Sequence, residues 1–137
     1  MNISRITAVV ATLLVSSISA GTDPQPKIET RCGWWENPSP SNVYLTDKEA
    51  QWLVSAQGGH QADGDAWPTF EAGQHVKTGS GSYGYGCACL QVVANHATHK
   101  IERVVSARAN SLRTCRDDPA LKEPQGLFDI SPRLNGR

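Results

Sequence analysis

The side chains best suited to chemistry in this sequence are its cysteines, its histidines and a short run of acids, and their spacing decides what each could do. Cys32, Cys87, Cys89 and Cys115 form an even set, which in an oxidising compartment reads as two disulfides. Zinc is the competing reading, but the set offers one C-x-C and no second close pair. Alternate residues of an extended strand stand ~6.6 Å apart, too far for a bridge, so Cys87 and Cys89 each need a distant partner. In a hairpin turning near Ala97, Cys87 falls opposite roughly residue 107, and the chain leaving that strand passes nearer Cys87 than Cys89. This favours Cys87–Cys115 with Cys32–Cys89, and leaves no thiolate for nucleophilic catalysis.

His60, Asp63 and Asp65, with Glu71 beyond, lie in a Gly-rich stretch and could act as paired carboxylates or hold a divalent cation. No complete calcium-loop spacing is present, and a solvated surface loop is the plainer reading. His96 and His99 fall in an expected turn without a third ligand. The run Gly79-Ser80-Gly81-Ser82 lacks the order of a G-x-S-x-G nucleophile elbow and reads as a flexible turn. No metal, no cofactor and no catalytic set are therefore expected.

The aromatic residues suit contact better than catalysis. In Tyr83-Gly84-Tyr85-Gly86 both tyrosines share one strand face with Cys87 and Cys89, and the glycines allow close approach on the other. Either the tyrosines cover the core beside the bridges or they contact a ligand. If Trp34 and Trp35 lie in a strand, one of them must face away from a single core and be partly exposed. A contact surface is expected from two loops, His60 to Trp67 and the Gly/Ser turn before Tyr83. Trp67, Tyr83 and Tyr85 would be its anchors, with His60 beside them and Asp63 and Asp65 as polar rim.

The elements that must position these residues read mostly as strands. Arg31 to Glu36 and the alternating Asn42 to Leu45 suit two strands joined by a Pro-containing turn. At Thr46 the signals conflict: Thr46 with Glu49 matches a capping box, while Trp52 and Val54 alternate as in a strand, and a hairpin is favoured. Gln57 to Gly73 reads as a long surface loop, His75 to Lys77 as a short strand, and Tyr83 to Val93 with Ile101 to Ala107 as a hairpin. Asp118-Pro119 suggests one helical turn over Ala120 to Lys122. The sum is an all-β fold: a small antiparallel sheet or partly open barrel, OB-like in form, with a short C-terminal helical turn.

The chain has 137 residues with 13 Lys+Arg against 13 Asp+Glu, a balance that provides no field to draw nucleic acid or an anionic membrane. Arg5, the uncharged apolar run from Ile6 to Ile18 and the small residues Ser19, Ala20 and Gly21 follow the order of a cleavable secretory signal. That run is too short to span a bilayer, so no membrane insertion is expected once the signal is removed. The expected organisation is a signal peptide over 1–20, an exposed leader over 21–30, a disulfide-stapled β domain over 31–123 and a loosely held tail over 124–137.

The blocks Arg31-Cys32-Gly33-Trp34-Trp35-Glu36-Asn37-Pro38, Gln57-Gly58-Gly59-His60-Gln61-Ala62, Tyr83-Gly84-Tyr85-Gly86-Cys87-Ala88-Cys89-Leu90 and Cys115-Arg116-Asp117-Asp118-Pro119-Ala120-Leu121 resemble an uncharacterised family of small exported bacterial proteins, a domain of unknown function. The resemblance implies an envelope location in a Gram-negative bacterium and brings no activity with it. The functional expectation is a non-enzymatic periplasmic or secreted binding protein with a protein partner in the cell envelope, such as an inhibitor or immunity protein against a cell-wall-degrading enzyme. The alternatives are a glycan- or peptidoglycan-binding module and a small hydrolase using the His60–Asp65 loop.

Overall fold

A computed structural model of the chain describes residues 21 and 23–125. The expected signal segment 1–20 and all but the first two residues of the expected tail 124–137 lie outside the described residues. In chain order the elements are β1 (Glu29–Ser39), β2 (Asn42–Thr46), β3 (Gln51–Ser55), β4 (His75–Lys77), β5 (Gly84–Asn95), β6 (Lys100–Asn110) and the short helix α1 (Leu112–Arg116). β1 begins inside the stretch expected as leader, since Glu29 and Thr30 already pair with Val92 and Gln91.

The strands close into a ring in the order β1-β2-β3-β6-β5, with β1 pairing back onto β5 and β4 attached to β5 as a sixth strand. All pairings are antiparallel except β3 with β6, which is parallel. The sheet is thus mixed where a purely antiparallel one was an option, and its strands bond in a ring as those of a small barrel do. The hairpin between β2 and β3 prevails over the capping-box helix because the Asp47 carboxylate accepts the Glu49 and Ala50 amides at 2.8 and 2.9 Å. That side chain shapes a tight turn.

The ring is weakest between β3 and β6, whose register rests on Leu53 and Lys100. The chain repairs this gap with a piece of the long loop. Ala62 donates its amide to Val54 O at 2.9 Å, Asp63 donates to Glu102 O at 2.8 Å, and Val104 donates back to Asp63 O at 2.8 Å. Ala62 is buried in the barrel core. Gly64 follows at φ +93°, where a side chain would strike the Val104 carbonyl, so glycine lets the chain turn sharply away from β6.

Strand alternation then fills two cores rather than one. Trp35, Val43, Leu45, Trp52, Val54, Ala88, Leu90, Val92, Ile101 and Val104 pack inside the barrel. Trp34, Tyr85, Cys87 and Cys115 form a second cluster on the outer face, helped by Val76, Leu112 and Leu121. Both tryptophans of the adjacent pair are therefore buried, at 0% and 5% exposure, which corrects the expectation that one would face solvent. A strand covered on both faces can bury consecutive residues.

The disulfides join Cys32 to Cys89 and Cys87 to Cys115, as the strand argument favoured. Each is a long-range staple worth about 2–4 kcal/mol. Cys115 sits on α1, so the second bridge fastens the helix over the outer cluster. The helical turn therefore precedes its expected place. Asp118 instead makes a turn, its carboxylate accepting the Ala120 amide at 2.9 Å.

The mouth of the barrel is clasped by Arg31, a residue with no evident role in the sequence. Its guanidinium donates to Glu29 at 3.0 Å, Asp47 at 2.9 Å and Glu49 at 2.6 Å. It also lies 4.3 Å from the ring centre of Trp52, a cation–π contact. Burial opposes the Arg31 charge, and the three carboxylates more than offset it, holding its pKa above the usual value.

Candidate functional site

The aromatic residues that alternation leaves at one end of the barrel line an open cleft of about 650 Å³. Its floor is Trp35 from β1, and its walls are the loop segment Trp67 to Gly73, His75 and Lys77 of β4, and Gly81 with Ser82 of the Gly/Ser turn. Trp67 meets Trp35 edge to face at 5.2 Å between ring centres, and Phe70 lies tilted against His75 at 5.4 Å. The tryptophan pair holds its geometry because ring edges are attracted to ring faces.

Three local devices hold the walls. Asn37 donates from its amide to the Ser82 carbonyl and hydroxyl oxygens, each at 3.3 Å, tying β1 to the Gly/Ser turn. Glu71 and Gln74 close the loop on themselves, with the Glu71 amide donating to Gln74 Oε1 at 2.8 Å and the Gln74 amide to Glu71 O at 3.0 Å. Gly86 of β5 leaves room for Phe70, whose ring and the Gln74 carbonyl would collide with any added Cβ.

The cleft is apolar at its base and polar at its rim, where Asn37, Glu71, His75, Lys77 and Ser82 gather. Burial, with Lys77 as the second cause, lowers the His75 pKa, so the imidazole is neutral at neutral pH. The site can present aromatic faces, a neutral imidazole, a carboxamide and one charge of each sign. Among the described residues no three of His, Cys, Asp and Glu converge where they could hold a metal ion.

The sequence-derived contact residues are divided by the fold. Trp67, 38% exposed, stands on the cleft rim. Tyr83 packs beside Gly79 at the base of the turn that carries Ser82 to the cleft. Tyr85 belongs elsewhere: it is 8% exposed in the outer cluster, edge-on to Trp34 at 5.5 Å, with its hydroxyl donating to Glu123 at 3.0 Å. Asp65 is exposed on the approach to Trp67, whose amide donates to the Asp65 carbonyl at 2.9 Å.

His60 and Asp63 serve the barrel seam. The His60 Nε2 donates to Ile101 O at 2.8 Å, and the Asp63 backbone bridges Glu102 and Val104. That bond leaves Nδ1 as the acceptor nitrogen of the neutral ring. His96 and His99 set their edges against Trp52 at 5.2 and 5.4 Å. The cleft residues that sequence reasoning missed include Trp35, Asn37, Phe70, His75 and Lys77; Pro68 and Phe70 within a polar loop were the available signal.

The two cysteine bridges are compatible with an oxidising, exported environment. No curated protein and no solved structure matches the chain. The model of one family, described as a protein of unknown function (DUF4087), matches residues 26–122, and the chain belongs to that family.

Proposed function

We propose that the mature chain is a periplasmic binding protein that acts by contact, and that its cleft receives a protein partner of the cell envelope. An inhibitor or immunity role would make that partner a cell-wall-degrading enzyme. The observation that carries this reading is the preformed aromatic cleft of about 650 Å³ between two loops. That volume suits a protruding side chain or loop tip. The Asn37–Ser82 tie and the Trp35–Trp67 contact fix the walls before binding, so little ordering entropy is lost on association.

A second reading is favoured by the exposed part of Trp67 beside the polar rim of Asn37 and Ser82. An aromatic face next to amide and hydroxyl groups suits a sugar ring, so a peptidoglycan fragment could fill the same cleft.

The test immobilises the purified mature protein, Trp67→Ala and Lys77→Glu, and challenges each with periplasmic extract and with soluble peptidoglycan fragments. Retention of a discrete protein by the wild type, lost in both variants, supports the protein-partner reading. Retention of fragments alone transfers the cleft to the second reading. Equal retention by wild type and variants removes the cleft from both.

A further inference from the structure

The two disulfides differ in a way that the binding role does not use. Cys87 and Cys115 are each 1% exposed, sealed beneath α1 in the outer cluster. Cys32 is exposed and Cys89 half-exposed. They sit directly opposite each other on β1 and β5, their Cα atoms 4.0 Å apart. The helix covers the Tyr85 and Cys87 end of that face and leaves the Cys32–Cys89 end open.

The surroundings of this open bridge are asymmetric. On one side Cys32 borders a hollow of about 490 Å³ whose lining holds four carboxylates, Glu29, Asp47, Glu49 and Asp118, against Arg31 and Lys48. On the other side Cys89 borders a groove of about 300 Å³ that Arg108 also lines. Arg108 is the cross-strand partner of Cys89. Asn110 donates a side-chain hydrogen bond to Cys89 Sγ at 3.2 Å.

We propose that Cys32–Cys89 is a thiol–disulfide exchange site, attacked at Cys32 by a thiol carried on a neutral or cationic molecule. The incoming thiolate forms a bond to Cys32 Sγ while the Cys32–Cys89 bond breaks. The electron pair of that bond passes to Cys89 Sγ, which leaves as a thiolate. A second thiolate equivalent then attacks the external sulfur of the mixed disulfide and releases Cys32 as a thiolate. The two external thiols end as a disulfide, so two electrons pass to the protein.

The choice of sulfur follows from access and from leaving-group stabilisation, both of which govern exchange rates. Cys32 is the exposed member, and the Asn110 donor with the nearby Arg108 cation steadies negative charge on Cys89. The acidic lining beside Cys32 repels an anionic thiol. Opening is local, because β1 stays on β5 through register pairs running from Glu29–Val92 to Asn37–Gly84.

The mature protein is exposed without denaturant to cysteamine, 2-mercaptoethanol or 3-mercaptopropionate at equal thiolate concentration, quenched by alkylation and peptide-mapped. Cys32–Cys89 is expected to open at least about tenfold faster than Cys87–Cys115, with the mixed disulfide on Cys32 and rates falling from the cationic to the anionic thiol. Equal loss of both bridges, earlier loss of Cys87–Cys115, or an adduct on Cys89 overturns the site. An equal rate for all three thiols overturns the assigned thiol class. Asn110→Ala should slow opening about threefold, and an unchanged rate overturns the assignment of Cys89 as leaving group.

Discussion

Trp35 and Trp67 meet edge to face at 5.2 Å, one ring 5% exposed in the barrel and the other 38% exposed on its rim. The pair links core to surface, so the cleft inherits the rigidity of the barrel. Trp67→Ala removes an aromatic contact worth about 0.5–1.5 kcal/mol beyond area burial and leaves the floor intact. Trp35→Ala empties a core position and should cost about 3–5 kcal/mol. Thermal melts should therefore rank Trp67→Ala as mild and Trp35→Ala as severe; the reverse order would contradict the assignment of floor and rim.

Tyr85 separates stability from contact. Burial first, and then Glu123, push its hydroxyl pKa up to about 12, and the ring packs edge-on to Trp34. Tyr85→Ala should cost about 3–5 kcal/mol, and Tyr85→Phe about 1 kcal/mol for the lost hydrogen bond. Neither should change partner dissociation once the protein is folded. Binding kinetics beside chemical denaturation check this, and faster dissociation from folded Tyr85→Phe would place the Tyr85 hydroxyl at the interface.

Much of the fold was legible because its signals are local. Alternation marked β5 and β6, and the Cys87-x-Cys89 spacing forced each sulfur to a distant partner. The pairing survived even though Cys87 faces Asn110, not residue 107, because register shifts between Gln91 and Val92 and between Val93 and Ala94 displace the ladder. Bulges leave no mark in a period-two pattern. Neither does the His60–Asp63 strip, whose role lies in backbone bonds to the β3 strand just before it and to the distant β6, so its polar side chains read as a solvent loop. The second core was hidden for the same reason: Cys115 reaches Trp34 and Tyr85 only through the helix and its disulfide. Of the candidate contact residues Trp67 alone reached the cleft, because Phe70, His75 and Trp35 meet only after β4 pairs with β5.

The Arg31 clasp makes stability fall with acid. Burial alone would raise the Asp47 and Glu29 pKa values, but hydrogen bonds from Arg31, joined by the turn amides at Asp47 and by His96 at Glu29, bring both below the usual range. A carboxylate with a depressed folded pKa stabilises above its unfolded value and loses that contribution as pH falls through the folded one. The melting temperature should drop below about pH 4, and Asp47→Asn should flatten that drop. At neutral pH the same substitution should cost about 1.5–3 kcal/mol, the range of a hydrogen bond to a charged group. A wild-type melting temperature level from pH 6 to pH 2 would contradict this.

Glu36 runs the other way. Burial raises its pKa, only partly offset by the Thr46 hydroxyl, which donates to it at 2.9 Å, and by the Gln51 side chain. A raised folded pKa means that the charged form is disfavoured in the folded state, so the penalty is present above that pKa and disappears as pH falls toward the unfolded value. Glu36→Gln keeps an acceptor for Thr46 and removes the charge. It should raise the melting temperature at pH 7 and make no difference at about pH 4. Melts at both values decide it, and destabilisation at pH 7 would mean that the charge has an uncounted partner.

Gly86 tests whether the cleft depends on how closely its wall approaches the sheet. The residue lies opposite Trp35 on β1 and His75 on β4, and an added Cβ would meet the Phe70 ring and the Gln74 carbonyl. The strand backbone needs no left-handed conformation here, so Gly86→Ala acts through space alone. The Phe70 ring can swing outward, whereas the Gln74 carbonyl is backbone and must move with the loop that Glu71 and Gln74 close. Overpacking of this kind costs about 1–3 kcal/mol, leaving a folded protein with a displaced wall. The expected result is loss of partner retention in Gly86→Ala with both disulfides and the near-ultraviolet circular dichroism of Trp34 and Trp52 preserved. If retention survives at wild-type affinity in that folded variant, the Phe70 wall is no part of the contact surface.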